Sequence, residues 1–363
     1  MKIIHILLNC NVGGIEALCK DYTLYSKHEN IVLLLWGDGE IADEMRNNGV
    51  RVINLAESKN NILQTMRKVA DLCMSERADV LIAHHAAPII HLCLLYVKRK
   101  VKGIVTIAYA HGNAVDMARI RDKKRLLIRK IILQNSLKRA NAVVAISKSV
   151  QKSLIEYFKI PEEKIKVIYN GVDLNKFKPK DNEISNKKCQ LIYVGRLVRE
   201  KGVQVTLQGL ARVEEKSRFH MSIIGDGAYR NELEKITKEY RLTANVDFCG
   251  RRRDIPKQLS QADIFIHMPV WEEGFGITII EAMATGLICI CGNSGAIPEI
   301  IRDGINGFII EGNTPQELAD TLKSVMGMSY EDKKKIRTAA ISRAKDFSIE
   351  KFVSDLDELI SNL

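Results

Sequence analysis

Short apolar runs recur along the whole chain with turns and helix-like stretches between them, and this alternation limits the possible folds more than any other feature. They occupy 2–8, 31–36, 50–55, 80–84, 104–109, 142–146 and 165–168, and then 190–194, 220–224, 246–248, 262–267 and 287–291. Their apolar character is nearly continuous, as expected of strands buried on both faces of a parallel sheet. Helices are expected between them, among them 41–47, 62–76, 147–158 and 229–240. The reading is α/β, with two Rossmann-like, doubly wound parallel-sheet domains facing a cleft. A polar segment, 175–186, contains Pro179 and suits a linker, so the domains are set at 1–172 and 187–347.

At 363 residues, with 46% hydrophobic and 27% charged content, the chain can bury two cores. No apolar run is long enough to span a bilayer. The start, Met1 to Leu8, has signal-peptide character, but no small-residue cleavage site follows, and a buried first strand is expected instead. The eight cysteines form no C-x-x-C pair and read as reduced core thiols of a cytosolic protein. The net charge of +11 is local: residues 1–170 hold 27 Lys+Arg against 16 Asp+Glu, and 94–139 hold 13 against 2.

The stretch Trp271-Glu272-Glu273-Gly274-Phe275-Gly276-Ile277-Thr278-Ile279-Ile280-Glu281-Ala282-Met283-Ala284-Thr285-Gly286 reads as a loop entering a short helix that Gly286 stops. Gly274 and Gly276 let a ligand approach the unpaired N–H groups at the helix start, up to Ile277, where the helix dipole favours an anion such as phosphate. Glu281, about one turn into the helix, is placed to accept two ribose hydroxyls. Glu273, in the loop, is placed to accept hydroxyls of something beyond the phosphate. Upstream, Gly195-Arg196-Leu197-Val198-Arg199-Glu200-Lys201-Gly202 follows a strand, and Arg196 and Lys201 offer two cations to a diphosphate. In the first half, Gly13-Gly14-Ile15-Glu16 opens a helix at the carboxyl end of the first strand. His111 ends a central strand with Gly112 behind it, a position that suits a cleft more than a core. A cluster of His84, His85 and His91 lacks carboxylate partners at ligand spacing and reads as loop histidines without metal.

The two carboxylates around Gly-Phe-Gly, followed by Glu-Ala-Met-Ala-x-Gly, together with Gly-Arg-x-x-x-x-Lys-Gly, resemble the retaining glycosyltransferases of family 4, which have the GT-B fold. The resemblance covers nearly the whole chain and is strongest over 195–308. It implies that the closing helix, 348–363, crosses back onto the first domain. It also implies that the Gly13-Gly14 turn lies against the donor diphosphate with Glu16 near the acceptor, that Gly250 and Arg251 border the nucleobase, and that His111 touches the transferred sugar.

The function that follows is metal-independent, retaining transfer of a hexose from a nucleotide diphosphate sugar, a UDP-sugar by preference, to a hydroxyl acceptor. Arg196, Lys201 and the backbone donors of Gly274 to Ile277 would stabilise the charge growing on the leaving diphosphate. Glu273 would hold the sugar and His111 would position it. No Asp-x-Asp motif accompanies the two cations, and no cofactor or metal is expected. The basic character of the first half suggests a lipid-linked or polysaccharide acceptor at the membrane, and with it lipopolysaccharide, capsule or exopolysaccharide synthesis.

Residues 119–139 are expected to form a helix with one basic edge, including Lys123, Lys124, Arg125, Arg129 and Lys130. Its apolar positions (Leu126, Leu127, Ile131 and 133–137) would pack on the sheet, and the edge would face anionic lipid at the inner face of the cell membrane. Nucleic acid is not expected, because neither aromatic interleaving nor a nucleic-acid motif accompanies the charge. Two other classes fit parts of the pattern. A same-fold nucleotide-sugar epimerase would need acid and base carboxylates in the cleft that the sequence does not place. A non-catalytic membrane scaffold would have no use for Arg196, Lys201, Glu273 and Glu281 together.

Overall fold

The strand Lys2–Leu7 (β1) sits mid-sheet because five of its six residues are buried, leaving neither face for water. It belongs to a computed structural model that describes residues 1–11, 13–57, 60–84, 87–114, 122–179 and 188–363. Backbone contacts divide these residues into two units, one of 1–171 with 349–363 and one of 172–348.

In the first unit, β1 is joined by β2 (Glu29–Leu34), β3 (Arg51–Asn54), β4 (Val80–His84), β5 (Val105–Ala110), β6 (Ala142–Ala145) and β7 (Ile165–Val167). Among the described residues they form one parallel sheet in the order β3-β2-β1-β4-β5-β6-β7. The winding reverses between β1 and β4, which makes this a doubly wound sheet with its switch point there. The helices are α1 (Gly14–Tyr25), α2 (Glu40–Asn47), α3 (Ile62–Ser75), α4 (Pro88–Lys100), α5 (Lys123–Arg139) and α6 (Lys148–Phe158). Asp122 caps α5 by accepting from the N–H groups of Lys124 and Arg125, and Ser147 caps α6 in the same way through Val150.

The second unit repeats the plan. Its strands are β8 (Cys189–Val194), β9 (Phe219–Ile224), β10 (Val246–Gly250), β11 (Ile264–His267), β12 (Ile288–Gly292) and β13 (Phe308–Ile310), in the order β10-β9-β8-β11-β12-β13. All pairings are parallel, and the switch point lies between β8 and β11. Around it lie α7 (Val203–Ala211), α8 (Arg230–Glu239), α9 (Ile255–Ser260), α10 (Ile277–Ala284), α11 (Ile297–Ile300), α12 (Pro315–Gly327) and α13 (Tyr330–Ala344). The core runs from Leu191, Tyr193 and Leu207 through Phe219 and Ile266 to Leu318 and Leu322.

The chain ends in α14 (Ile349–Ser361), which returns to the first unit and packs on α1. Tyr22 Oη donates to Asp357 at 2.6 Å, Ser26 Oγ donates to the same oxygen at 3.1 Å, and Phe352 meets the edge of Tyr22.

The structure departs from the sequence reading in three places. Helices α4, α7, α9, α11 and α13 and strand β13 were not anticipated. His84 is the last residue of β4 and His91 lies within α4; both are buried, so neither is a loop histidine, while His85 lies outside the described residues. Along α5, Leu133, Ser136 and Leu137 face the core, but Leu127 and Ile131 are exposed, as is Ile128. Residues 119–121, expected as the start of that helix, and 180–186 of the expected linker lie outside the described residues. No described helix is long and apolar enough to cross a membrane.

Candidate functional site

In the second unit the residues of interest gather at the carboxyl ends of the two strands that flank the switch point. Beyond β8 the backbone passes Gly195 and exposed Arg196 and makes a single turn of 3-10 helix, Arg199–Lys201. Gly202 then takes a left-handed conformation (φ +70°) and opens α7. A side chain at Gly202 would begin 1.5 Å from the carbonyl oxygen of Met268, just past β11, so this turn rests directly on the end of the neighbouring strand.

That contact brings Lys201 to the loop after β11. Lys201 Nζ lies 2.6 Å from Glu273 Oε2, and His267 Nε2 lies 2.9 Å from the same oxygen. The Glu273 side chain is 11% exposed, that of Lys201 24% and that of His267 3%. Burial pushes the Glu273 carboxyl up, but Lys201 and His267 outweigh it and hold the group well below the usual carboxylate range. Burial, aided by Lys201 and opposed by Glu273, lowers His267, so the ring is neutral and donates Nε2–H to the carboxylate. The expected pairing of Arg196 and Lys201 as two open cations is therefore incomplete. Lys201 is held by Glu273, whereas Arg196 forms no ion pair among the described residues. His267 was read only as the end of an apolar strand. Its position six residues before Glu273 is the signal that would have found it.

Beyond Glu273, buried Phe275 packs edge-on against Phe347 at 5.7 Å and anchors the loop. Gly276 adopts φ +100° as the N-cap of α10, a conformation a side chain would strain. Gly276 has no side chain to cap this helix, so the N–H groups of Ile277 and Thr278 lie at the helix mouth, while Ile279 N–H already donates to Gly276 O at 3.0 Å. Ala296 N–H donates to Glu273 O at 2.9 Å and Ser294 Oγ to Trp271 O at 2.8 Å, so the turn after β12 clamps the loop from behind. Glu281 lies half-buried in the second turn of α10. Gly250 closes β10 and accepts from Gly225 N–H at 2.8 Å, with exposed Arg251 following it.

In the first unit, Gly13 is the N-cap of α1 and Gly14 its first residue. The Glu16 carboxylate folds back over Gly13; burial raises its pKa, opposed by a hydrogen bond from its own N–H. His111 lies one residue past β5, at the carboxyl edge of the sheet, with its ring stacked 4.4 Å from that of Tyr109. Of the basic positions on α5, Lys123, Lys124 and Arg125 are exposed. Arg129 and Lys130 are half-buried, and Lys130 Nζ sits over the Tyr157 ring at 4.2 Å, which turns it toward its own fold.

Comparison with known proteins bears on the family and the fold. The family model for glycosyl transferases group 1 matches residues 175–343, and that for Glycosyltransferase Family 4 matches 21–176. The chain is 25% identical to the N-acetyl-alpha-D-glucosaminyl L-malate synthase of Bacillus anthracis, over 80% of this chain and 77% of that protein. It is 24% identical to the UDP-Gal:alpha-D-GlcNAc-diphosphoundecaprenol alpha-1,3-galactosyltransferase of Escherichia coli, over 90% of this chain and 88% of that protein. The chain spans only 48% of the length of an uncharacterized glycosyltransferase of Methanocaldococcus jannaschii that it matches at 29% identity. The fold superimposes on the crystal structure of Anabaena HepE in complex with UDP with a TM-score of 0.87, at 22% identity and over 100% of both chains. Two family models that together run from residue 21 to residue 343, on two doubly wound sheets with the GT-B architecture, place this chain among the family 4 glycosyltransferases.

Proposed function

We propose that the protein moves a hexose from a UDP-sugar, with retention and without a metal, to a lipid-linked or polysaccharide acceptor in the synthesis of a bacterial surface polysaccharide. The observation that carries this reading is the Lys201–Glu273–His267 cluster beside the uncapped start of α10. A cation and a row of backbone donors lie where negative charge would grow on the leaving diphosphate, and a carboxylate held ionised lies next to them to accept sugar hydroxyls. Arg196 adds a second cation, Glu281 takes the ribose, and Gly250 and Arg251 border the base. The Gly13-Gly14 turn and His111 serve from the first unit, His111 against the sugar and Glu16 toward the acceptor. A UDP donor is favoured by the names of the relatives: the Escherichia coli enzyme is a UDP-Gal transferase acting on a diphosphoundecaprenol lipid, and HepE has also been solved with UDP-glucose.

The test is binding and slow hydrolysis across UDP-glucose, UDP-galactose, UDP-N-acetylglucosamine and GDP-mannose, with and without EDTA. The expected result is one UDP-sugar bound and turned over equally with and without the chelator, and lost in Glu281→Ala. Binding of none of the four would remove the reading and leave a scaffold role. Turnover abolished by EDTA would remove metal independence alone.

The cytosolic membrane face is the proposed place of action, through α5. Lys124, Leu127, Ile128 and Ile131 follow helical spacing (i, i+3, i+4, i+7) and form one stripe whose three apolar members are 59%, 60% and 48% exposed. Lys123 and Arg125 flank its start. An exposed apolar stripe with cations at its end suits anionic lipid better than cations alone. Replacing Leu127 and Ile128 together by serine is expected to weaken binding to anionic vesicles by about tenfold or more, since each buried side chain contributes about 1.5–3 kcal/mol. Vesicle pelleting unchanged by the double substitution would rule the stripe out.

A further inference from the structure

Two donors converge on a single oxygen of Glu273 and leave the other uncommitted. Lys201 Nζ and His267 Nε2 both meet Oε2, at 2.6 and 2.9 Å, and among the described residues Oε1 makes no hydrogen bond or ion pair. The backbone of Glu273 is fixed separately. Gly295 (φ +55°) brings the turn after β12 so close that a side chain there would begin 2.1 Å from Glu273 O, and Ala296 N–H donates to that carbonyl at 2.9 Å. With the backbone held from behind, what Lys201 and His267 set is the direction of the carboxyl group.

The two donors differ in how firmly they are held. Lys201 ends a flexible stem and is 24% exposed, so an anion bound at its turn would compete with Glu273 for it. His267 closes β11 and is 3% exposed. Its ring lies 5.9 Å from that of Tyr193 on β8 and 6.3 Å from that of Phe265, stacked with both, so it has no room to swing away. Tyr193 Oη in turn donates to Arg196 O at 3.1 Å, which ties this packing to the cation-bearing turn. An ionised carboxylate only accepts, so His267 Nε2 carries a hydrogen. His267 Nδ1 is buried with no hydrogen-bond partner among the described residues. A second N–H there would be stranded, which agrees with the lowered pKa of the ring.

We propose that His267 is a positioning residue: it holds Glu273 Oε2 while Lys201 turns to the leaving diphosphate, and so keeps Oε1 aimed at a hydroxyl of the donor sugar. This rests on the reading of Glu273 as the group that holds the sugar. A buried carboxylate with Lys201 as its sole partner would swing free or take up a proton as the lysine is drawn off. The histidine keeps one charge-assisted bond in place throughout. Its influence is confined to the sugar, because among the described residues its ring makes no hydrogen bond except to Glu273. The nucleotide should be indifferent to it.

The experiment compares UDP with the UDP-sugar that the wild-type protein hydrolyses, by calorimetric binding and hydrolysis kinetics on the full chain. In His267→Leu, UDP should bind within about twofold of wild type, while kcat/KM for the sugar nucleotide falls about ten- to a hundredfold, the usual loss of one hydrogen bond to a charged group. His267→Gln, whose amide can donate from nearly the same place as Nε2, should recover most of that loss. In a Glu273→Ala background, adding His267→Leu should change kcat/KM by less than about twofold, because no carboxylate is left to aim. Equal losses of UDP and UDP-sugar in His267→Leu would overturn the proposal. So would a glutamine no better than leucine, or effects that multiply independently in the double variant. Hydrolysis impaired in Glu273→Ala but normal in His267→Leu would also overturn it, while leaving Glu273 at the sugar. Hydrolysis untouched by Glu273→Ala would instead remove Glu273 from the sugar, and with it the reading on which the role of His267 rests.

Discussion

Replacing Lys201 by alanine is expected to lower sugar transfer about a hundred- to a thousandfold, the usual effect of removing one preorganised donor from a site of growing negative charge. The same change should destabilise the second unit by about 2–4 kcal/mol, because it strands a buried carboxylate; the figure lies toward the low end of such losses since Lys201 is partly exposed. A pH signature should accompany it. The Glu273 pKa is depressed in the folded protein, so its contribution to stability is present above the ordinary carboxylate range and is lost only as pH falls through that depressed value. Without Lys201 the depression shrinks and acid unfolding should begin at higher pH. His267 should move the other way from its wild-type state: Lys201 helps keep it neutral, so its pKa should rise in the variant. Urea unfolding at a series of pH values, with the His267 ring resonances followed by NMR, checks both. Unchanged acid stability would mean that the pair contributes nothing to folding. Unchanged turnover would remove Lys201 from the reaction.

The second large effect is expected at Gly202. Alanine there must adopt φ near +70° and place Cβ against the Met268 carbonyl oxygen, a backbone atom that cannot swing aside. Backbone strain and overpacking each cost about 1–3 kcal/mol, so the sum is about 2–6 kcal/mol, or about 10 °C in the melting temperature of a unit of this size. Relief is available by lifting the Arg199–Lys201 turn off the end of β11, which would pull Lys201 away from Glu273. Gly202→Ala should therefore lose donor binding as well as stability. Differential scanning calorimetry with a donor-binding assay on the same preparation decides the matter. Melting within 2 °C of wild type would show that the turn adapts without cost.

Five of the six strands and the two motif-bearing loops of the second unit, all but β13, were legible in the sequence because they depend on local signals. Apolar runs announce buried parallel strands, and a glycine pair between carboxylates announces a helix mouth. The two longest helices missed, α4 and α13, lack such signals. Pro88 reads as a turn although it occupies the first turn of α4, and that helix is buried around several sides, so its apolar residues show no single face. Helix α13 opens on a run of charged residues, Glu331 to Lys335, and only Ile336, Ala340 and Ala344 are buried along it, so its apolar periodicity is faint. Leu127 and Ile131 were assigned to a buried face because apolar residues on a helix usually lie there; only the packing of Leu133 and Leu137 shows which side of α5 meets the sheet. The hydrogen bond between buried His5 and His84 could not be read at all. His5 and His84 are 79 positions apart, and what joins them is strand order, which no local spacing encodes.

The return of α14 to α1 sets an order of events during synthesis. Tyr22 and Asp357, which bond to each other, are separated by 335 positions, and the whole second unit is translated between them. At about 5–20 residues per second the ribosome takes roughly ten to thirty-five seconds to pass through residues 172–348. For that interval the nascent first unit carries an uncovered face on α1, where Tyr22 lacks its contacts with Phe352 and Asp357, while the second unit has everything it needs to fold. The later-made unit can therefore mature first, and the earlier one is sealed only when the final helix emerges. Chaperones that bind exposed apolar surface would meet this protein at α1, and a premature stop within the last fifteen or so codons would leave that face permanently open.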